Sequence, residues 1–258
     1  DPDYNRLVVT VLGEPQAVKN AVLDSIAVAT ELIDLNQHEG EHLRMGATDV
    51  VPFIPIRNMT MAETVELAKE MGQAIYERCA VPVFLYEEAA SRPERKNLVT
   101  IRKGQFEGMA EKLKHDDWEP DFGKREIHET AGVTAVGARM PLIAYNIDLG
   151  TDSIDIANAI ARSIRQSGGG FQYIKAGGVE LKEKGIVQVT MNITDFTKNP
   201  IYRVFETVKM EAKRYGVPIL GSEIIGLAPM GALVDTAAYY LGLHDFDSSK
   251  LIESALIE

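Results

Sequence analysis

Between residues 38 and 49 the chain reads His38-Glu39-Gly40-Glu41-His42-Leu43-Arg44-Met45-Gly46-Ala47-Thr48-Asp49, a dense gathering of imidazole, carboxylate and guanidinium groups. Three readings fit it. The stretch from His38 to His42 spells H-E-x-x-H, which holds zinc when both histidines share a helical face and a glutamate aims at the bound water. Gly40 in the middle and flanks without apolar periodicity argue against that helix. As a loop, the same residues suit acid-base chemistry, because histidine ionises near neutrality and Glu41 or Asp49 could orient its ring and set its tautomer. The third reading is a solvated loop with two incidental histidines.

The elements on either side must hold this loop. Arg6 to Leu12 is a β-branched run that reads as a strand ended by Gly13, and a helix from about Pro15 to Asp34 follows. Val18, Val22, Ile26 and Ala29 recur on one helical face, expected to bury against a sheet. Val50 to Ile56 reads as an edge or irregular strand, since neither Pro52 nor Pro55 can donate to a ladder. Thr60 and Glu63 form a capping box for a helix to about Cys79, Val81 to Tyr86 is a strand, and Glu87 to His115 is charged and helical. Asp116 to Gly132 is a long polar loop, of a length that is usually functional or mobile.

The pattern then restarts: strand Pro141 to Leu149, helix Ser153 to Ser167, a hairpin of Tyr173 to Leu181 with Ile186 to Thr194, helix Ile201 to Tyr215 and strand Val217 to Ile225. This β-α-β-β-α-β order is that of a ferredoxin-like split unit. The expected fold class is α/β (α+β), with two subdomains, residues 1–139 and 140–258. Each is expected to cover one sheet face with helices, so that the bare faces pack together around a ligand cleft.

Composition narrows the function. An apolar fraction of 45% and a charged fraction of 25% are ordinary globular values. A net charge of −11 argues against nucleic acid, whose binding needs a basic footprint. No run approaches the roughly 18 to 20 apolar residues of a membrane span. The polar opening Asp1-Pro2-Asp3 is unlike a secretory signal, and the single Cys79 cannot form an internal disulfide, so a reducing cytoplasm is expected.

The run from His42 through Asp49 to Pro55 resembles the H-P-R-M-G-A-x-D-V-x-P-F-x-P signature of glutamate formiminotransferase, also the first half of formiminotransferase-cyclodeaminase. The likeness continues at Asn5-Arg6, Val81 to Glu87, Pro120 to Gly123 and Gly132 to Arg139, and in the second half at Asn146-Ile147, Gln188-Val189, Asn192, Asp195-Phe196 and Gly221 to Leu227. It implies two α/β subdomains with facing sheets, a homodimer, and formimino transfer from N-formimino-L-glutamate to tetrahydrofolate, with no metal. It implies His42 as general base, next to which Asp49 is the catalytic candidate read from the loop itself, and a folate-lining stretch Gly123, Lys124, Arg125, Glu126, Ile127, His128, Glu129, Thr130, Ala131 and Gly132. Formyl exchange with 5-formyltetrahydrofolate and non-catalytic folate binding stay open as alternatives.

Leu43 stands where the family has proline, and Ala131 where some members carry tryptophan. The family's opening strand and helix, with a C-V-P-N-F-S type motif, have no counterpart in the sequence. Neither has the deaminase half, so no second active site is expected. Substrate carboxylates call for guanidinium partners, for which Arg44, Arg6 and Arg139 are candidates, with Asn5 alongside. Trp118 reads as a pterin stacker or a packing anchor.

Overall fold

The computed structural model describes residues 5–40 and 42–256. The chain divides into two compact units, Asp1–Arg139 and Met140–Glu258.

The first unit contains α1 (Pro15–Leu32), β1 (Val50–Phe53), α2 (Met61–Cys79), β2 (Val83–Glu87), α3 (Leu98–Arg102), α4 (Gln105–Lys112) and β3 (Thr134–Ala138). Its sheet has the order β1-β3-β2, and both pairings are parallel. Pro52 is tolerated because β1 is an edge strand. The Thr60 capping box forms: the hydroxyl accepts from the Glu63 amide at 3.2 Å, and the Glu63 carboxylate accepts from the Thr60 amide at 2.7 Å.

The central strand β3 was not expected from the sequence. All five of its residues are buried, so it lacks the alternation that marks a half-exposed strand. Helices cover both faces of this sheet, where one bare face was expected. Val51, Phe53, Val83, Leu85 and Val136 pack with α2 on one side. Phe84, Tyr86, Val133 and Ala135 pack with Ile101 of α3 and Met109 of α4 on the other. The helical stretch expected from Glu87 to His115 is broken into these two short helices, with Gly104 at positive φ between them and Gln105, which opens α4, at positive φ as well.

Two further expectations are corrected. The run Arg6 to Leu12 pairs with no strand among the described residues, and Leu7, Val8, Val9 and Leu12 are exposed. Helix α1 turns its Val18, Val22 and Ile26 face towards a core shared with α2 rather than lying simply on a sheet.

The second unit contains β4 (Ile143–Leu149), α5 (Ile154–Ile164), β5 (Ile174–Leu181), β6 (Ile186–Ile193), α6 (Ile201–Arg214), β7 (Ile219–Ile225), α7 (Met230–Leu241) and α8 (Ile252–Leu256). Its antiparallel sheet, β5-β6-β4-β7, joins the first and third strands of the split β-α-β-β-α-β unit at its centre. Ile143, Tyr145, Ile147 and Leu149 of β4 meet Ile160 and Ile164 of α5 and Val204 and Val208 of α6. The alternate positions are polar: Gln188 donates to Asp148 at 2.7 Å and to Glu223 at 3.0 Å, and Asn146 donates to Glu223 at 3.1 Å. Helices α7 and α8 follow the split unit and were not expected from the sequence. Among the described residues no helix is long and apolar enough to cross a membrane.

Candidate active site

In the first unit the chain from Ile33 to Asp49 crosses from α1 to β1 without a helical turn in its described residues. The helix that an H-E-x-x-H zinc site needs is therefore missing at 38–40 and 42. Among the described residues no three His, Cys, Asp or Glu side chains gather as metal ligands. Glu41, a candidate for orienting the histidine, lies outside the described residues.

This loop is stapled to the segment that the family resemblance marked for folate. The Leu35 amide donates to the Thr130 carbonyl at 2.9 Å, the Ala47 amide to Ala131 at 3.0 Å and the Val133 amide to Met45 at 3.0 Å. The Asn36 side chain donates to the Glu129 carbonyl at 3.0 Å. Gly46 and Gly132 pair as an antiparallel bridge. Neither tolerates a side chain: a Cβ on Gly46 would lie 2.1 Å from the Val133 carbonyl, and one on Gly132 would lie 2.2 Å from that of Met45.

His42 is half-buried, and among the described residues no hydrogen bond engages its ring. Desolvation pulls its pKa below the usual histidine value; Asp49 opposes that shift, and Arg102, Arg6 and His38 reinforce it. The lowered pKa favours the neutral imidazole, the form a general base requires.

Among the described residues Asp49 acts on His42 electrostatically rather than through a hydrogen bond. Its Oδ1 accepts from the Met45 amide at 2.8 Å and its Oδ2 from Arg102 Nη2 at 2.5 Å. Arg102, which sequence reasoning did not single out, is the last residue of α3. Nothing in the local pattern distinguishes it from the neighbouring Lys96 and Lys103, and only the fold brings it to Asp49.

The candidate arginines differ in their surroundings. Arg44 already grips a carboxylate: its Nη1 and Nη2 donate to the two oxygens of Glu107 at 3.0 Å and 2.6 Å. The Arg44 carbonyl also accepts from the Phe106 amide, so this residue ties the loop to the start of α4. Arg139 hydrogen-bonds the buried Tyr86 hydroxyl. Arg6 is exposed and acts electrostatically on His42. Its neighbour Asn5 donates to the Glu39 carbonyl at 2.6 Å and approaches His38 at 3.4 Å, which brings residues 5 and 6 to the histidine loop.

Within 123–132 the side chains separate into two groups. Lys124, Arg125, Glu126 and Glu129 are exposed, and Arg125 forms ion pairs with Asp116 and Glu119. Ile127 and Ala131 pack inward, at the two cores of the unit. His128 accepts from the Ala131 amide at 3.1 Å, which closes a tight turn ending at Gly132. Thr130 is half-buried, and Gly123 has φ +114 with Tyr76 against it. Buried Arg95 anchors the start of this segment, donating to Asp121 at 2.9 Å and to the Glu119 carbonyl at 2.6 Å. Trp118 packs edge-on against Phe84 beneath the Lys112 ammonium, the packing anchor of the two readings made for it.

Comparison with known proteins agrees with the resemblance in both units. Residues 1–139 match the formiminotransferase domain, N-terminal subdomain, and residues 144–257 match the formiminotransferase domain. The chain is 55% identical to a glutamate formimidoyltransferase of Streptococcus pyogenes serotype M1 over 98% of its length and 84% of the relative's. It is 43% identical to one of Thermoplasma acidophilum over the same shares. It is 42% identical to the formimidoyltransferase-cyclodeaminase of Mus musculus over 93% of its own length and 45% of that protein's. The chain belongs to the formiminotransferase domain family.

Proposed function

We propose that this chain is an enzyme that moves the formimino group of N-formimino-L-glutamate to N5 of tetrahydrofolate, giving 5-formiminotetrahydrofolate and L-glutamate, with His42 handling the protons. The observation that carries the reading is His42 itself. It is a half-buried imidazole, its pKa lowered by desolvation, on a loop fastened to the 123–132 segment. Such a base takes the N5 proton as N5 bonds to the formimino carbon. The resulting imidazolium returns a proton to the glutamate nitrogen as the tetrahedral intermediate collapses, and that nitrogen leaves as an amine rather than an anion. Positioning of the two substrates supplies the rest, without a metal or a covalent enzyme intermediate.

Both substrates carry carboxylates. Exposed Lys124 suits them better than Arg44, whose fork Glu107 occupies, or Arg139, which Tyr86 engages, and Arg6 is a further candidate because its charge acts at His42. Asp49 belongs to the site through the loop it closes. The same reading makes the chain a cytoplasmic homodimer serving histidine degradation and one-carbon metabolism.

Release of free glutamate from formiminoglutamate and tetrahydrofolate is the direct assay. Replacing His42 by Ala is expected to lower turnover by about 10²- to 10⁴-fold while folate still binds. Parental turnover in that variant would end the assignment.

A further inference from the structure

We propose that Arg102 is a positioning residue for this reaction: through Asp49 it holds the 42–49 loop, and with it His42, in the geometry that proton transfer needs. The inference rests on His42 as the proton-handling residue, and it concerns a side chain that nothing in the family signature points to.

The geometry forms a chain of contacts from a fixed base to the imidazole. Both oxygens of Asp49 are used, one on the Met45 amide and one on Arg102. The first contact closes the loop on itself, three residues after His42. Met45 is fully buried, and its carbonyl accepts from Val133, so the point that Asp49 grips is itself immobile. The second contact ties that closed loop to α3. This helix is short, and its C-terminal carbonyls would be unsatisfied. The Lys112 ammonium of α4 takes them up, donating to Thr100, Ile101 and Lys103 at 2.7, 2.6 and 3.2 Å, with the Trp118 ring 3.7 Å away. Arg102 therefore extends from a clamped helix end, and its side chain is 19% exposed.

Arg102 also balances charge. The groups acting on His42 are Asp49 and His38 of its own loop, Arg102 of α3 and Arg6 of the N-terminal segment. Removing Arg102 leaves the Asp49 carboxylate unopposed and released from its anchor. Both effects favour the imidazolium, which is the wrong form for a base.

The test follows glutamate release against pH for Arg102→Ala, Arg102→Lys, Asp49→Asn and His42→Ala, with thermal melts of each. Arg102→Ala is expected to lower kcat by about 10- to 100-fold, as for a displaced catalytic group, with KM for both substrates near parental values. Its acid limb should move to higher pH. The contact is a single Nη2 to Oδ2 approach, so Arg102→Lys should recover the limb and most of the kcat. Added guanidinium should restore part of the turnover of Arg102→Ala. Asp49→Asn should move the limb the opposite way, to lower pH.

A folded Arg102→Ala with parental kcat and acid limb overturns the proposal. If that variant does not fold, Asp49→Asn decides, and an unmoved limb there overturns it equally. The two assignments fail separately. An active His42→Ala ends the role of the histidine, whereas an inactive His42→Ala beside an unchanged Arg102→Ala ends only the role of the arginine.

Discussion

A histidine serves as a base at neutral pH only if its surroundings keep it unprotonated, and around His42 partial burial outweighs the attraction of Asp49. The acid limb of kcat/KM is therefore expected below the ordinary histidine value of about 6.5, and a limb centred above it would contradict the assignment. The same shift has a stability sign. Because the folded state holds the proton less tightly than the unfolded chain, the contribution of His42 is present in full above the unfolded value of about 6.5 and is lost as pH falls from there through the lowered folded-state pKa. Residue types and their spacing drew attention to the 38–49 loop but left a catalytic and a solvated reading open, and the family resemblance favoured the first. They did not reveal Arg102, which lies 53 residues from Asp49 along the chain and meets it only after α3 has packed on the sheet. Nor did they show that Arg44, a natural candidate for a substrate carboxylate, is matched by Glu107 within the protein.

At the level of elements, the site depends on two loops being fastened backbone to backbone. Gly132 sits at φ +67 with the Met45 carbonyl where a Cβ would be. Gly132→Ala should cost about 1–3 kcal/mol in strain and separate the loops, seen as a lower urea midpoint together with lost turnover. Retained turnover would show that the staple is not needed. Arg95 is 1% exposed and paired with Asp121, so Arg95→Ala should cost about 3–5 kcal/mol by leaving a carboxylate buried without its partner. An unchanged melting temperature would contradict this. Elements with a strong periodic signal were legible from sequence, among them α2 with its capping box and the β-α-β-β-α-β succession of the second unit. Strand β3 was not, because burial on both faces removes the alternation by which a strand is recognised. The reverse error came at residues 6–12, whose β-branched composition signals a strand although no partner strand lies alongside them among the described residues.

At the scale of the whole molecule, the chain's net charge of −11 sits uneasily with substrates that carry carboxylates, and attraction has to come from local cations such as Arg6 and Lys124 rather than from the overall field. Attraction of that kind is short-ranged, because at physiological ionic strength charges are screened beyond about 8 Å. The apparent KM for both substrates should therefore rise with salt while kcat changes little, and a salt-independent KM would point to recognition without those cations. The run from Leu7 to Leu12, unpaired among the described residues, has a colloidal consequence. It offers open backbone donors and acceptors beside bare Val8 and Val9, 67% and 70% exposed, the makings of a template on which molecules stack edge to edge as the solution is concentrated. Val9→Lys should suppress light scattering at high protein concentration while shifting unfolding by no more than about 0.5 kcal/mol. A loss of several kcal/mol instead would mean that this ribbon is paired in solution.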